Sequence, residues 1–503
     1  MSEPVKRITK EITLTIGIFF DGTSNNAVNT KTMLKSFTDS KYNHNAPDYA
    51  SILEKYARDK LGISGSSASS YTGYYTNIYW LSTLYSQKVS AEDYDVQSGI
   101  YIEGIGTQTG KPDNILGQMF GISHTGIIAK TEKAISLLTD AIRYALNTMT
   151  KKRSCTTIIV KCLQFDIFGF SRGAAAARHL ANRIQLEDPD IISAIRQGVM
   201  GIIFNGARSG KIRFIGIFDT VTAIGTPLNG FNLHSADTGD VMLGLRTGVA
   251  QQVFHIIAAQ EYRFNFALNS VKSAWPELTL PGAHSDIGGG YLPVTIENLF
   301  LTRPLTETVP YEQPGEMTRV YRQAMAQLQI MKESPSLALM LRTNNISAET
   351  WSDSRLFADK YGQMQKRIYA ALTMRQRTIS NHWSRVILRV MIDAAQEAGV
   401  VFNQIISTDN ELQLTDELYP LCDKAIAMGR AVRRGLTPQP WCQHELNLIV
   451  AKYVHCSANW NTITLNSNTT FHGGASPIKS ISFINRPDEQ WIRSVYNMEG
   501  KKV

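Results

Sequence analysis

Thr156–Arg178 reads TTIIVKCLQFDIFGFSRGAAAAR. An apolar run rich in β-branched residues leads into Gly169-Phe170-Ser171-Arg172-Gly173, and an alanine-rich helix former follows. Strand, G-x-S-x-G and helix in that order make a nucleophile elbow, in which the serine sits on a sharp turn with its hydroxyl exposed. The first glycine lets strand and helix approach closely, and the second leaves room where the chain reverses. Amides and dipole at the helix start favour negative charge developing beside that serine. By composition alone a chance G-x-S-x-G arises in roughly one chain in six of this size, so the flanking strand and helix carry the weight. A serine between glycines also makes an ordinary helix cap. Ser171 is read as a hydrolase nucleophile whose partners must be found elsewhere in the chain.

The chain has 503 residues, 43% hydrophobic and 19% charged, the balance of a globular protein rather than a disordered one. At about 150 residues each, two or three domains are expected. No run approaches about 18 uncharged apolar residues, so no membrane span is expected. Lys6, Arg7 and Lys10 precede an apolar stretch in the manner of a signal peptide. That stretch is short, rich in Thr and Ile, and reaches Asp21 without a small-residue cleavage site, so a strand explains it better. Five cysteines, odd in number and without C-x-x-C, argue against a disulfide framework or structural zinc and fit synthesis in a reducing compartment. The formal charge of +8 is modest for this length. It can assist docking on anionic lipid, although such an excess is most often only a solvated surface. No nucleic-acid motif accompanies it.

Ile12–Phe20 reads as a buried strand that ends in Asp21-Gly22-Thr23-Ser24-Asn25-Asn26. Parallel α/β sheets bind ligands beyond the carboxyl ends of their strands, so this loop lies where a site belongs, though the same residues also make a tight Asx turn. The amide of Arg172 is the first candidate oxyanion donor, and the amides of Gly22 and Thr23 are candidates for the second. Asn77–Ser86 has helical spacing, Ser98–Gly106 reads as a strand, and Glu132–Met149 is an amphipathic helix. Between them Ile115, Leu116, Met119, Phe120 and Ile122 lie in a glycine-punctuated stretch suited to an acyl pocket, a lid or an irregular packed loop.

Lys211–Phe218 is a strand that stops at Asp219-Thr220-Val221. A carboxylate at a strand end downstream of the nucleophile is where an α/β-hydrolase keeps its acid. Gln252–Phe266 reads as a helix carrying His255, Glu261 and Arg263 as ion-pair and surface residues. Glu277–Ser285 reads as a short strand entering a loop. His284 then stands between Pro/Gly turns and Asp286, where an imidazole can swing over a serine. Of the ten histidines it alone has that setting after the aspartate; His234, on a loop without a leading strand, is its nearest rival. The order Ser171, Asp219, His284 is that of the α/β-hydrolases, not of trypsin or subtilisin. Asp21 and Asp286 are the alternative acids, and the chemistry requires no metal and no cofactor.

Beyond Leu301 the texture changes. Pro304–Pro314 is linker-like, and helical patterns follow at Met317–Lys332, Ser354–Thr378, His382–Gly399 and Asp416–Arg434. The expected architecture is an α/β-hydrolase-like, mostly parallel sheet with flanking helices over residues 1–300. A helical cap or anchoring lobe is expected over 301–450, and a segment packing back on the core over 451–503, with β-like texture at Tyr453–Ser457, Ile481–Phe483 and Asn485–Pro487.

Four ordered blocks resemble the first family of type VI secretion lipase effectors, bacterial toxins with an α/β-hydrolase catalytic domain. They are Phe20-Asp21-Gly22-Thr23-x-Asn25-Asn26, the elbow, Phe218-Asp219-Thr220-Val221, and Gly282-Ala283-His284-Ser285-Asp286-Ile287-Gly288-Gly289-Gly290. The resemblance spans roughly residues 12 to 300 closely and extends more loosely to Tyr453-Val454-His455-x-Ser457 and Arg486-Pro487. It implies Ser171, Asp219 and His284 as nucleophile, acid and base, and phospholipase A activity on membrane glycerophospholipids. It further implies synthesis in the bacterial cytoplasm, docking on a VgrG-type spike protein, action in a rival cell's periplasm, and a cognate immunity protein. Two other readings stand beside it: a cytosolic carboxylesterase or thioesterase with the same triad, and a non-catalytic interaction module on an inert hydrolase fold.

Overall fold

The computed structural model describes residues 8–38, 49–63, 65–87, 95–114, 126–152, 156–222, 238–334, 337–342, 345–354, 356–461 and 484–503. Its centre is a parallel sheet. The strands are β1 (Ile8–Phe20), β2 (Asp95–Ile102), β3 (Thr156–Phe170), β4 (Ile203–Phe204), β5 (Lys211–Phe218), β6 (Gln252–Ala258) and, after the short β7 (Leu268–Asn269) outside the sheet, β8 (Glu277–Leu280). Their order is β2-β1-β3-β5-β6-β8, with β4 beside the start of β3. All pairings in this sheet are parallel. Such strands are buried on both faces, which is why β1 and β3 read as near-continuous apolar runs.

Alternate side chains of each strand serve opposite faces. Ile12, Leu14, Ile16 and Ile18 pack into one cluster with the helices Ile127–Lys152, Arg172–Gln185 and Pro189–Gly198. Phe19, Phe168, Phe214 and Phe254 pack into the other, against Val386, Val390 and Met391 of the helix Trp383–Glu397 and Leu421 of the helix Leu418–Arg433. Each such side chain contributes about 1.5–3 kcal/mol when fully buried.

The register of the sheet positions the site. Phe20 lies opposite Ile102 and Gly169, Phe170 opposite Phe218, and Phe218 opposite Ile256. Parallel strands in this register finish together, so Asp21, Ser171 and Asp219 leave the sheet at one edge.

Residues 294–380 carry a second, antiparallel sheet of β9 (Val294–Phe300), β10 (Leu305–Pro310), β11 (Ile346–Asp353) and β12 (Gln365–Ser380). The helix expected over Ser354–Thr378 is therefore largely the strand β12. Helix-forming Ala, Leu and Met fill its centre, but it pairs with β9, β10 and β11, and tertiary pairing overrides so weak a local preference. Gln252–Phe266 is a second correction: Gln252–Ala258 is β6, and Val253–Ala258 are all buried. A short run apolar on both faces cannot be told from a helix by periodicity. Helices at Arg319–Glu333, Trp383–Glu397 and Leu418–Arg433 lie where their periodicity places them, so the lobe is helical in part, around a sheet. One apolar cluster runs from Phe19 to Trp491, across residue 300. Two helices, Ala27–Thr38 and Tyr49–Leu61, occupy a region with little sequence pattern.

Among the described residues no helix is long and apolar enough to cross a membrane. The expected lid or pocket stretch with Ile115, Leu116, Met119, Phe120 and Ile122 lies outside the described residues, as do His234 and Ile481–Phe483.

Candidate active site

Ser171 occupies φ 59°, ψ −127°, immediately before the helix Arg172–Gln185. Such a backbone costs a non-glycine residue about 1–3 kcal/mol and persists only where its surroundings enforce it. Here the Ser171 amide donates to the Phe218 carbonyl at 3.1 Å, and its carbonyl accepts from Ala174 at 3.0 Å. Both flanking glycines are required by space. A Cβ on Gly169 would lie 2.5 Å from the Gly173 carbonyl oxygen, and one on Gly173 would lie 2.3 Å from that of Asp21. The elbow thus wedges β3, the helix and the end of β1 together.

Asp219, also at positive φ (40°), follows β5. Its Oδ2 lies 2.5 Å from Nδ1 of His284, and its Oδ1 accepts from the Ala258 amide at 3.0 Å. Arg493 closes on the same carboxylate, with Nη1 2.7 Å from Oδ1 and Nη2 2.8 Å from Oδ2. Complete burial by itself would raise the carboxyl pKa; the Arg493 charge and the His284 contact outweigh it and hold Asp219 well below the usual carboxylate range.

His284 opens the short helix His284–Gly288, rather than lying on a loop. Asp286 begins that turn by accepting from the Ala283 amide at 2.9 Å. The imidazole sits between Phe170 and Phe266, ring centroids 4.6 and 5.1 Å away. Burial lowers its pKa below 6.5; the Asp219 contact works against burial, and the Arg263 charge adds to it. The ring is therefore neutral near pH 7, the state a general base needs. The Ser171 hydroxyl makes no hydrogen bond with the described residues. In sites of this kind that contact commonly tightens only when substrate binds.

The other carboxylates are committed elsewhere. Asp286 Oδ1 lies 2.6 Å from Nδ1 of His455, and its Oδ2 accepts the His455 amide at 2.9 Å. Asp21 accepts from Gly22 N at 2.7 Å, Thr76 Oγ1 at 2.7 Å and the Tyr101 hydroxyl at 2.6 Å. Burial pushes its pKa up to about 6 against the pull of these donors. The Gly22 amide, a candidate oxyanion donor, is engaged by Asp21 Oδ1 in this arrangement. Thr23 remains close to the elbow, its Oγ1 accepting from Arg172 Nε at 2.8 Å. The Arg172 amide opens the helix, where first-turn N–H groups have no intrahelical acceptor.

His255 is buried in β6 between Glu277 and Thr220, and His179 accepts from the Met242 amide. Among the described residues neither makes a hydrogen bond with Asp219, whereas His284 does. Glu261 and Arg263, expected as ion-pair and surface residues, do form an ion pair, at 2.8 Å, but beside the site: Glu261 is buried, Arg263 half-buried, and Glu261 Oε2 accepts the His284 amide at 3.2 Å. Arg493 had no sequence signal, being a lone basic residue more than two hundred positions beyond the last of the four quoted blocks. Among the described residues no group of His, Cys, Asp and Glu is arranged to hold a metal ion.

Sheet, elbow and strand-end residues together define an α/β-hydrolase-like protein. The family model "T6SS, Phospholipase effector Tle1-like, catalytic domain" matches residues 203–306. The solved structure of the Tle1 effector bound to the VgrG spike from the Type 6 secretion system is 38% identical to this chain, covering 98% of it and 95% of that chain, with a TM-score of 0.76. The chain belongs to this family of type VI secretion phospholipase effectors, lipid-hydrolysing enzymes. A crystal structure of an uncharacterized protein from Pseudomonas aeruginosa covers 88% of this chain and 53% of its own at 15% identity and a TM-score of 0.35, too distant to carry an argument. No curated protein sequence matches.

Proposed function

We propose that the chain is a phospholipase A that cleaves fatty-acyl esters of membrane glycerophospholipids, with Ser171 as nucleophile, His284 as general base and Asp219 as the acid. The observation carrying this reading is the His284 Nδ1–Asp219 Oδ2 contact of 2.5 Å at the sheet edge where Ser171 sits on its elbow. Asp219 fixes Nδ1 as the protonated nitrogen of His284, so Nε2 is left to take the Ser171 proton. Ser171 attacks the acyl carbonyl, and the Arg172 amide, with Thr23 as the candidate second donor, stabilises the oxyanion. One such donor is worth about 2.7–4 kcal/mol of barrier. His284 then protonates the leaving lysophospholipid oxygen, and water releases the fatty acid from the acyl-enzyme.

The same reading takes a VgrG-type spike as carrier, on the strength of the similar effector solved bound to one. It places the action at the periplasmic membrane of a target cell. A producer that makes a lipase beside its own membrane also needs a cognate immunity protein. The test is fatty-acid release from position-labelled phospholipid in mixed micelles by wild type and Ser171→Ala, with fluorophosphonate labelling in parallel. Ser171→Ala is expected to fold normally, to resist the label and to release nothing. Turnover retained by folded Ser171→Ala refutes the mechanism, and activity confined to soluble short-chain esters points to a carboxylesterase instead.

A further inference from the structure

Residues 486–496 run alongside residues 262–270. The Phe264 amide donates to the Arg486 carbonyl at 3.0 Å, Leu268 to Ser494 at 2.9 Å, and Ser270 to Tyr496 at 2.9 Å. The last two contacts flank a two-residue strand, β13 (Val495–Tyr496), parallel to β7. The Arg486 guanidinium lies 4.0 Å from the centre of the Phe264 ring. From this strap one side chain turns inward. Arg493 donates through Nε to the Phe266 carbonyl at 2.7 Å and spans both oxygens of Asp219 with Nη1 and Nη2. Its side chain is 9% exposed and that of Asp219 0%.

From this geometry we infer that Arg493 is a positioning residue of the esterase centre: the C-terminal strap delivers it to clamp Asp219 in the orientation that holds His284. The inference rests on the triad reading above. Its physical content is that Asp219 Oδ2 is shared between Arg493 Nη2 and His284 Nδ1. A planar guanidinium on both oxygens fixes the carboxylate plane, because rotating it would break two charge-assisted hydrogen bonds together. The clamp also determines how much negative charge the imidazole feels. Asp219 from the end of β5 and Glu261 and Arg263 from the turn after β6 act on His284 directly, and Arg493 from the strap reaches it through Asp219. Asp286, on the helix of His284 itself, is occupied by His455. Removing Arg493 leaves Asp219 uncompensated, so the imidazolium is favoured and His284 titrates at higher pH.

The experiment uses the full chain and a soluble p-nitrophenyl ester, with Arg493→Gln, Arg493→Ala, Arg493→Lys and Asp219→Asn compared across pH. For Arg493→Gln the expected result is a kcat about 10²-fold lower, the scale of a misplaced catalytic group. KM should stay near the wild-type value, and the acid limb of kcat/KM should move to higher pH. Arg493→Lys should recover part of the loss, and guanidinium ion added to Arg493→Ala should restore turnover. Wild-type kcat and pH profile in Arg493→Gln, with Asp219→Asn inactive, overturn the clamp alone. So does a loss in Arg493→Ala that comes with a lowered Tm and no guanidinium rescue, since that marks a purely structural ion pair. Full turnover in Asp219→Asn instead removes the triad reading itself.

Discussion

Replacing Asp219 by Asn tests the acid most sharply, because the hydrogen bonds around it dictate the outcome. The carboxylate accepts from Ala258 N, from Nη1 and Nη2 of Arg493, and from His284 Nδ1. Asparagine has one acceptor oxygen and one donor NH2. Arg493 can only donate, so the amide oxygen must face Arg493 and Ala258, and the NH2 must turn to His284. That NH2 makes Nδ1 the acceptor and moves the proton to Nε2, so the ring presents a donor to Ser171 where a base is needed. A wrong tautomer of this kind costs about 10⁴-fold in kcat, or about 5.4 kcal/mol of barrier. Half of the guanidinium pairing is lost as well, and an incompletely compensated buried charge costs up to about 3–5 kcal/mol of stability. Asp286→Asn is the matched control. Among the described residues its carboxylate hydrogen-bonds to Ala283 and His455, so stability should fall by about 1–3 kcal/mol while kcat stays within about tenfold of wild type. Initial rates on a soluble ester, with thermal unfolding of each variant, read both effects. An active Asp219→Asn beside an inactive, folded Asp286→Asn would show that the wrong carboxylate has been assigned.

Two further outcomes follow from the loop and the elbow. Asp21 has its folded pKa raised to about 6, against about 3.9 unfolded, so its contribution to stability is full below about pH 4 and is lost as pH rises through about 6. Asp21→Asn should therefore gain on wild type by about 3 kcal/mol between pH 4 and pH 8 in urea unfolding; parallel stability curves would refute the raised pKa. Gly173→Ala places a Cβ 2.3 Å from the Asp21 carbonyl and 2.4 Å from that of Phe20, both backbone atoms that move only with β1. A loss of about 1–3 kcal/mol is expected, with a larger fall in kcat than in Tm terms alone because Ser171 and the Gly22 loop shift together; unchanged kinetics would show that the elbow tolerates displacement.

What was legible in the chain was what adjacency in sequence and parallel register jointly determine. β1, β3 and β5 each end in a polar residue one step beyond an apolar run, so Asp21, Ser171 and Asp219 could be placed at one edge before any pairing was known. His284 was legible for a similar reason, through its place after β8, although it begins a helical turn rather than a loop. The misread segments, β6 and β12, are those whose partners decide their state. β12 takes neighbours from residues 294–353, and no window of its own residues records them. Gly22 shows the same limit at a smaller scale. Its amide sits at the expected strand end, yet it donates to the Asp21 carboxylate, which Thr76 and Tyr101 hold from distant segments, and no local reading records those partners.

The division between early and late residues bears on how the site assembles. The proposed nucleophile, acid and base come from residues 171–284, around one sheet whose strands pair in parallel over long sequence separations. Burial alone would drive Asp219 towards neutrality, and a neutral carboxyl cannot stabilise an imidazolium. The charge that opposes burial is held by Arg493, ten residues before the end of the chain. If the clamp is as inferred, the sheet can be complete while the acid is still uncompensated, and catalytic competence must wait for the C-terminal strap to dock on residues 262–270. Refolding followed by ester hydrolysis and by the fluorescence difference between wild type and Trp491→Phe should then show activity returning no earlier than the signal from Trp491, the strap residue whose ring centre lies 5.8 Å from that of Tyr262.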